Sequence, residues 1–206
     1  MIDYFSLLDE PRRPWLEPDA LKARFLALSA AAHPDRAHNA PAAQKQAANQ
    51  RSAELNAAYR CLREPKERLQ HLLELELQAK PEAVRPIAEA TMVWFTEVSQ
   101  VCRGVDQFLT ERAQVTSPLL KVRQFELAQG WTDKLRRCQQ EIIDRTEGLG
   151  AELRAMNKSW ESAPPADSAA RRASLPLERL EELYRESSYL QRWLAQVQER
   201  LVRLSI

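Results

Sequence analysis

The sequence predicts an all-α protein, and two observations carry that expectation. Glycine is scarce, at 4 of 206 residues, while alanine, leucine, glutamate, glutamine and arginine are plentiful. These are the strong helix formers, and glycine is the residue helices avoid. Apolar residues also recur at helical spacing: in short stripes near the start, then in three long segments stepping by alternate threes and fours.

Early in the chain, Leu21, Phe25, Leu28 and Ala32 fall at i, i+4, i+7 and i+11, one stripe of a short amphipathic helix over 19–32. Ala48, Leu55, Ala58, Tyr59 and Leu62 make a matching stripe on a longer helix over 41–63. Pro18 suits the first turn of the first of these helices, and Pro65 the first turn of the next one along. Between 9 and 17 a loop holds Pro11, Pro14 and a Trp15-Leu16 pair, with Trp15 expected to plug the small core.

His33-Pro34-Asp35 stands between the two paired helices, with Arg36 following and a loop to residue 43. Pro34 disfavours the α conformation at His33, so the first helix should end there. It also fixes its own φ and donates no backbone hydrogen bond. The result is a stiff, polar corner at an exposed tip, where recognition residues concentrate. Asp35 offers a carboxylate matched to a bidentate arginine, and His33 an imidazole that can donate or accept. Taken alone, the tripeptide reads more readily as a helix-breaking turn without function than as a recognition site. His33, Asp35 and His38 do not make a metal set, because a structural site usually needs four ligands.

Prolines at 81 and 86 mark a boundary. Beyond it the three seams run Ile87, Thr91, Trp94, Val98, Val101, Val105, Phe108; then Leu135, Cys138, Ile142, Thr146, Leu149, Leu153, Met156, Trp160; then Leu180, Leu183, Ser187, Leu190, Leu194, Val197, Leu201, Leu204. Each is on the order of 40 Å of helix, and similar lengths predict an antiparallel three-helix bundle. Ser117-Pro118 is a helix start. Gly130 marks where a break or kink would fall. Residues 162–174, small and proline-containing, read as a flexible surface loop in which Arg171 and Arg172 are solvated.

Composition removes several function classes. A formal net charge of +1 with both signs mixed argues against a nucleic-acid protein. Neither a secretory signal nor the roughly twenty apolar residues of a membrane span is visible, so the expected location is the cytoplasm. Cys61, Cys102 and Cys138 are far apart with no C-x-x-C, which fits small buried thiols in a reducing compartment. No nucleophile stands beside His33 and Asp35, and there is no glycine-rich phosphate loop. No enzyme activity, cofactor or metal is expected.

Two antiparallel helices around His33-Pro34-Asp35 resemble a J domain. Asp3-Tyr4-Phe5-Ser6-Leu7-Leu8 is similar to that family's first short helix, and Leu55-Asn56-Ala57-Ala58-Tyr59-Arg60-Cys61-Leu62-Arg63-Glu64-Pro65 to the end of its third. Leu69-Gln70-His71-Leu72-Leu73-Glu74-Leu75 resembles the fourth helix of the HscB-type co-chaperones, and Tyr189 to Val197 resembles their final helix. The resemblance implies a J domain over 1–79, an HscB-like oligomerisation or client domain over 80–206 and, as partner, a DnaK/HscA-type ATPase chaperone whose hydrolysis it stimulates. It further implies a client that could be the iron–sulfur scaffold, and a monomer or weak homodimer.

The chaperone-facing residues it implies are His33, Pro34, Asp35 and Arg36, with Lys22 and Arg24 on the second helix. That helix is unusually poor in base for a J domain: Ala23, Leu26 and Ala30 lie opposite its core stripe, so Leu26 is either an apolar chaperone contact or packed on the second domain. The client-facing residues it implies are Met92, Val93, Trp94 and Glu97. Thr96, Ser99, Gln100 and Arg103 stand in the following turns, where the family carries acids. The alternative is a J-like helical adaptor that binds another protein without stimulating a chaperone ATPase.

Overall fold

The computed structural model describes residues 2–33, 41–79, 89–168 and 170–205, without the side chains of 89 and 90. It is all-helical, with no strand among the described residues. The helices are α1 (Tyr4–Leu7), α2 (Pro18–Ala31), α3 (Ala42–Arg63), α4 (Pro65–Leu77), α5 (Glu89–Arg112), α6 (Pro118–Glu161), α7 (Arg171–Ser174) and α8 (Leu177–Ser205). The architecture is an N-terminal J domain followed by an antiparallel three-helix bundle.

Two compact units emerge, and α6 and α8 contribute to both. One joins Met1–Pro81 to Gly150–Arg185; the other joins Glu82–Leu149 to Glu186–Ile206.

In the first unit, Asp3 caps α1 by accepting from the Phe5 and Ser6 amides. Pro18 and Pro65 open α2 and α4 at positions where an amide would have no helical partner. Phe5, Leu8, Leu16, Leu21, Leu55, Leu62, Leu69, Leu72 and Leu73 form the core at 2% exposure or less. Phe25 of α2 stacks on Tyr59 of α3 at 4.3 Å, clasping the hairpin. Arg68, 3% exposed, donates to the carbonyls of Pro14 and Leu62 and so ties the 9–17 loop to the end of α3. Burial lowers its pKa to about 10.

Trp15 does not plug this core; Leu16 does. Trp15 is half-buried between the guanidinium groups of Arg68 and Arg154. Its amide donates to Asn157 Oδ1, and its carbonyl accepts from Asn157 Nδ2. A methyl group on Gly150 would stand 3.2 Å from the indole, so the small residue lets α6 approach.

His71 is also buried here. Its Nε2 accepts from the Tyr4 amide at 3.1 Å, and its ring stacks on Phe5. Burial lowers its pKa below 6.5, only partly opposed by the carboxylates of Asp3 and Glu74. A protonated ring could not accept that bond. The unfolded chain would bind the proton near pH 6.5 and the folded chain only at lower pH. The stability His71 contributes is therefore full above about pH 6.5 and is lost as pH falls through that value. Urea midpoints taken at pH 7.5 and pH 5.5 should show this drop in the wild type. His71→Gln, which keeps an acceptor but cannot titrate in this range, should flatten it. A drop of the same size in the variant would assign the effect elsewhere. Asp3, whose pKa is lowered by Ser6 and Arg12 against the upward push of burial, acts only near pH 4 and below.

In the second unit, α5 and α6 run antiparallel: Trp94 pairs with Glu141, while Gly104, further along α5, meets Trp131, earlier in α6. A methyl group on Gly104 would lie 2.4 Å from the Trp131 ring, which explains a glycine inside a helix. α5 and α8 run in the same direction, linked at Trp94–Trp193, Asp106–Arg200 and Arg112–Leu204.

Three details of the expected seams change. Cys102 rather than Val101, and Trp193 rather than Leu194, take the buried positions. Trp193 wins its place because it meets Trp94, Phe95 and Tyr189 in one aromatic cluster. Gly130 brings no break: α6 passes through it, since packing on either side outweighs a cost of about 1 kcal/mol for one helical glycine.

The three thiols are shielded as expected. Burial, reinforced by Glu67 and Glu74, pushes Cys61 up to about 12, and burial also raises Cys102 and Cys138. Since the thiolate is the reactive form, the native protein should react only slowly with Ellman's reagent at pH 8. Denaturant should release all 3 equivalents. Fast labelling of the native protein would contradict this placement.

Candidate functional site

The corner is framed by the two helices of the J-domain hairpin. α2 ends at Ala31, with the Ala32 amide donating to Leu28. His33 follows and is exposed. α3 begins at Ala42, with Pro41 as its cap. Pro34, Asp35, Arg36 and His38 lie outside the described residues.

On α2, Lys22 and Leu26 are exposed, Leu26 at 55%. Arg24 is not free to attract a partner at long range: its Nε lies 3.3 Å from Glu10, whose side chain is only 7% exposed and also faces Arg13. Among the described residues of α2 this leaves Lys22 as the cation without an ion pair. Leu26 stands uncovered where the helix surface is otherwise small or polar. The structure thus brings Lys22, Arg24 and Leu26 onto one helix of the hairpin, beside the segment that carries the corner.

The expected client face is divided. Met92 and Val93 are exposed at 43% and 60%, and Glu97 is exposed. Trp94 is a core residue, not a surface one. It is 7% exposed, donates to Glu141 Oε2, packs edge-on against Trp193 and carries Arg145 above its ring at 4.3 Å. Helical geometry is the reason: consecutive residues diverge by about 100°, so Met92, Val93 and Trp94 cannot share a face.

The most tightly bonded polar cluster was not expected from the sequence. Arg171 is 8% exposed, not solvated, and its Nε and Nη2 each donate at 2.8 Å to the two oxygens of Glu76. Its Nη1 donates to the Pro164 carbonyl at 2.7 Å. Trp160 Nε1 donates to Glu76 Oε1 at 3.2 Å. The cluster pins 162–174 to the last turn of α4. One signal for it was present: Glu76 stands four residues after Leu72 and seven after Leu69, on the apolar stripe of its helix. A carboxylate there demands a buried partner.

Among the described residues no group of three or more His, Cys, Asp or Glu could hold a metal. No described helix is long and apolar enough to cross a membrane.

Comparison with known proteins places the chain in a family. No protein-family profile matches the chain. A curated co-chaperone protein HscB homolog of Bordetella pertussis is 33% identical over 127 residues, which span 59% of this chain and 75% of that protein. The chain belongs to the HscB co-chaperone family. The HscB homolog of Azoarcus sp. (strain BH72) is 41% identical over 73 residues, 35% of this chain and 41% of its own length. In fold, the chain resembles chaperone HscB from Vibrio cholerae with a TM-score of 0.54 at 19% identity, covering 96% of each chain. It resembles human co-chaperone HscB with a TM-score of 0.58 at 17% identity, covering 100% of this chain and 83% of that one. As an HscB relative the chain has a J-type co-chaperone role.

Proposed function

We propose that residues 1–79 act as a J domain that docks His33, Pro34, Asp35 and Arg36 on a DnaK/HscA-type ATPase chaperone and accelerates its hydrolysis of ATP. Asp35 pairs with a chaperone arginine, and His33 and Pro34 hold its orientation. The observation that carries the reading is the hairpin itself. α2 and α3 are clasped by the Phe25–Tyr59 stack, and their ends flank the His33-Pro34-Asp35 segment, in a chain of HscB kinship. Because Arg24 is committed to Glu10, long-range steering is weak and Leu26 supplies an apolar contact in its place. The protein performs no chemistry of its own and works in the cytoplasm.

Residues 80–206 deliver a client, for which the iron–sulfur assembly scaffold is the family's candidate. Met92, Val93 and Glu97 are the residues available to it, since Trp94 is inside. The test is the ATPase rate of the chaperone with wild-type protein and with Asp35→Asn. Equal stimulation by both would end this reading. The second reading, a J-like adaptor with no effect on ATP hydrolysis, is favoured by the scarcity of free base on α2. It would be selected if a pull-down from native lysate recovered no ATPase chaperone.

A further inference from the structure

The second unit carries a surface that neither chaperone docking nor the Met92–Val93 face uses. Of the large apolar side chains that stand exposed among the described residues, half fall in nine residues at the start of α6: Leu119, Leu120, Val122, Phe125 and Leu127. Leu119 is 84% exposed, Val122 65% and Phe125 66%. A helix apolar on most sides is ordinarily buried, and exposed apolar patches of this kind mark interaction sites.

Beside Phe125, the one member of this group that lines it, the surface is concave. A cleft of about 260 Å³ is lined by Arg112 at the end of α5, Val115 of the connection, and Lys121, Gln124 and Phe125 of α6. Lys121, Gln124, Phe125 and Ala128 share one face of α6, at i, i+3, i+4 and i+7. Ala128 is buried at the inner end of that stripe, so the cleft continues the bundle's own packing face outward.

The polar groups are one-sided. Arg112 and Lys121 bring two positive charges, and among the described residues no carboxylate lines the cleft. Neither makes an ion pair among the described residues; Arg112 spends one nitrogen on the Leu204 carbonyl. Glu111 accepts from Gln107, and Glu126 projects about 100° around α6 from Phe125.

We infer that this cleft is a docking site for an acidic, amphipathic segment of a partner protein. An apolar side chain of the partner covers Phe125 and Val115, and an adjacent carboxylate lies between Arg112 and Lys121. Charge selects this occupant over the others. A second copy of the chain, related by a two-fold axis, would bring Arg112 and Lys121 towards their own duplicates. A nucleic acid would leave Phe125 and Val115 without an apolar partner. A membrane surface calls for a convex apolar face rather than a walled cleft. The site is independent of the His33-Pro34-Asp35 corner, so it stands or falls without the chaperone.

The test is fluorescence anisotropy on the full chain, with no chaperone present. The probe is a short labelled helical peptide of leucine, alanine and glutamate. Its counterparts replace glutamate with glutamine or with lysine. The glutamate peptide should bind, weaken with added salt, and outcompete both counterparts. Lys121→Glu should weaken it roughly fivefold to tenfold, as expected for reversing one half-exposed pair. Phe125→Ser should weaken it about tenfold through lost apolar contact. Both positions are exposed, so the fold should survive, and circular dichroism checks that it does. Equal binding of the glutamine peptide, or binding indifferent to both substitutions, would overturn the assignment. So would capture of the protein by vesicles of phosphatidylglycerol and phosphatidylcholine that is lost in Phe125→Ser. Sedimentation showing a wild-type dimer that Phe125→Ser splits would assign the cleft to a second copy instead.

Discussion

Replacing Arg171 with alanine should cost the protein about 3–5 kcal/mol, the usual penalty for stranding one member of a buried ion pair. Glu76 would keep only the hydrogen bond from Trp160 while remaining 8% exposed, and the Pro164 carbonyl would lose its donor as well. Urea denaturation followed by far-ultraviolet circular dichroism reads the shift, and hydrogen exchange should show protection lost across 162–174. The paired change Glu76→Leu with Arg171→Leu should recover much of the loss, because an apolar pair of similar volume removes the desolvation penalty. A double-mutant cycle then isolates the coupling between the two side chains. A loss under about 1 kcal/mol in Arg171→Ala would mean that water reaches the pair freely and that it behaves as a surface contact.

Asp35→Asn should abolish chaperone stimulation at concentrations where the wild type is near saturation. The change is nearly isosteric and removes only the charge. An arginine left without its carboxylate in a closed interface costs roughly 2–5 kcal/mol, or on the order of 30-fold to several thousand-fold in affinity. Far-ultraviolet circular dichroism should be unchanged, which separates a docking defect from a folding defect. Stimulation that returns when the variant is raised tenfold in concentration would place the effect at the mild end of that range. Undiminished stimulation at every concentration would remove Asp35 from the interface, and with it the reading of the corner as the chaperone contact.

Local chemistry made much of the architecture legible in the sequence. The helix starts at Pro18, Pro65 and Pro118 could be read because proline at a first turn is a local signal. The J-domain hairpin and the three bundle helices followed from apolar spacing, which depends only on helical period. The seam of α8 was misplaced by one residue because Trp193 and Leu194 are both apolar. Only the presence of Trp94, Phe95 and Tyr189 around one position decided between them. Trp15 was misplaced for the same reason: its partners, Arg154 and Asn157, are far away in the chain.

By itself the sequence determined the all-α class, the order of the helices and the polar corner carried between α2 and α3, since each rests on residues within one or two turns of each other. Tertiary structure alone decided which polar groups are buried. Arg171 stands in a tract that reads as solvent-exposed loop, and it is inside because Glu76, from another helix, needs a counter-charge there. Tertiary structure likewise decided that Arg24 is held by Glu10; that Trp94 faces the core was already legible in the seam spacing. Pairing is a property of residues brought together across the chain: the apolar stripe of α4 could signal that Glu76 needs a partner, but not that the partner is Arg171.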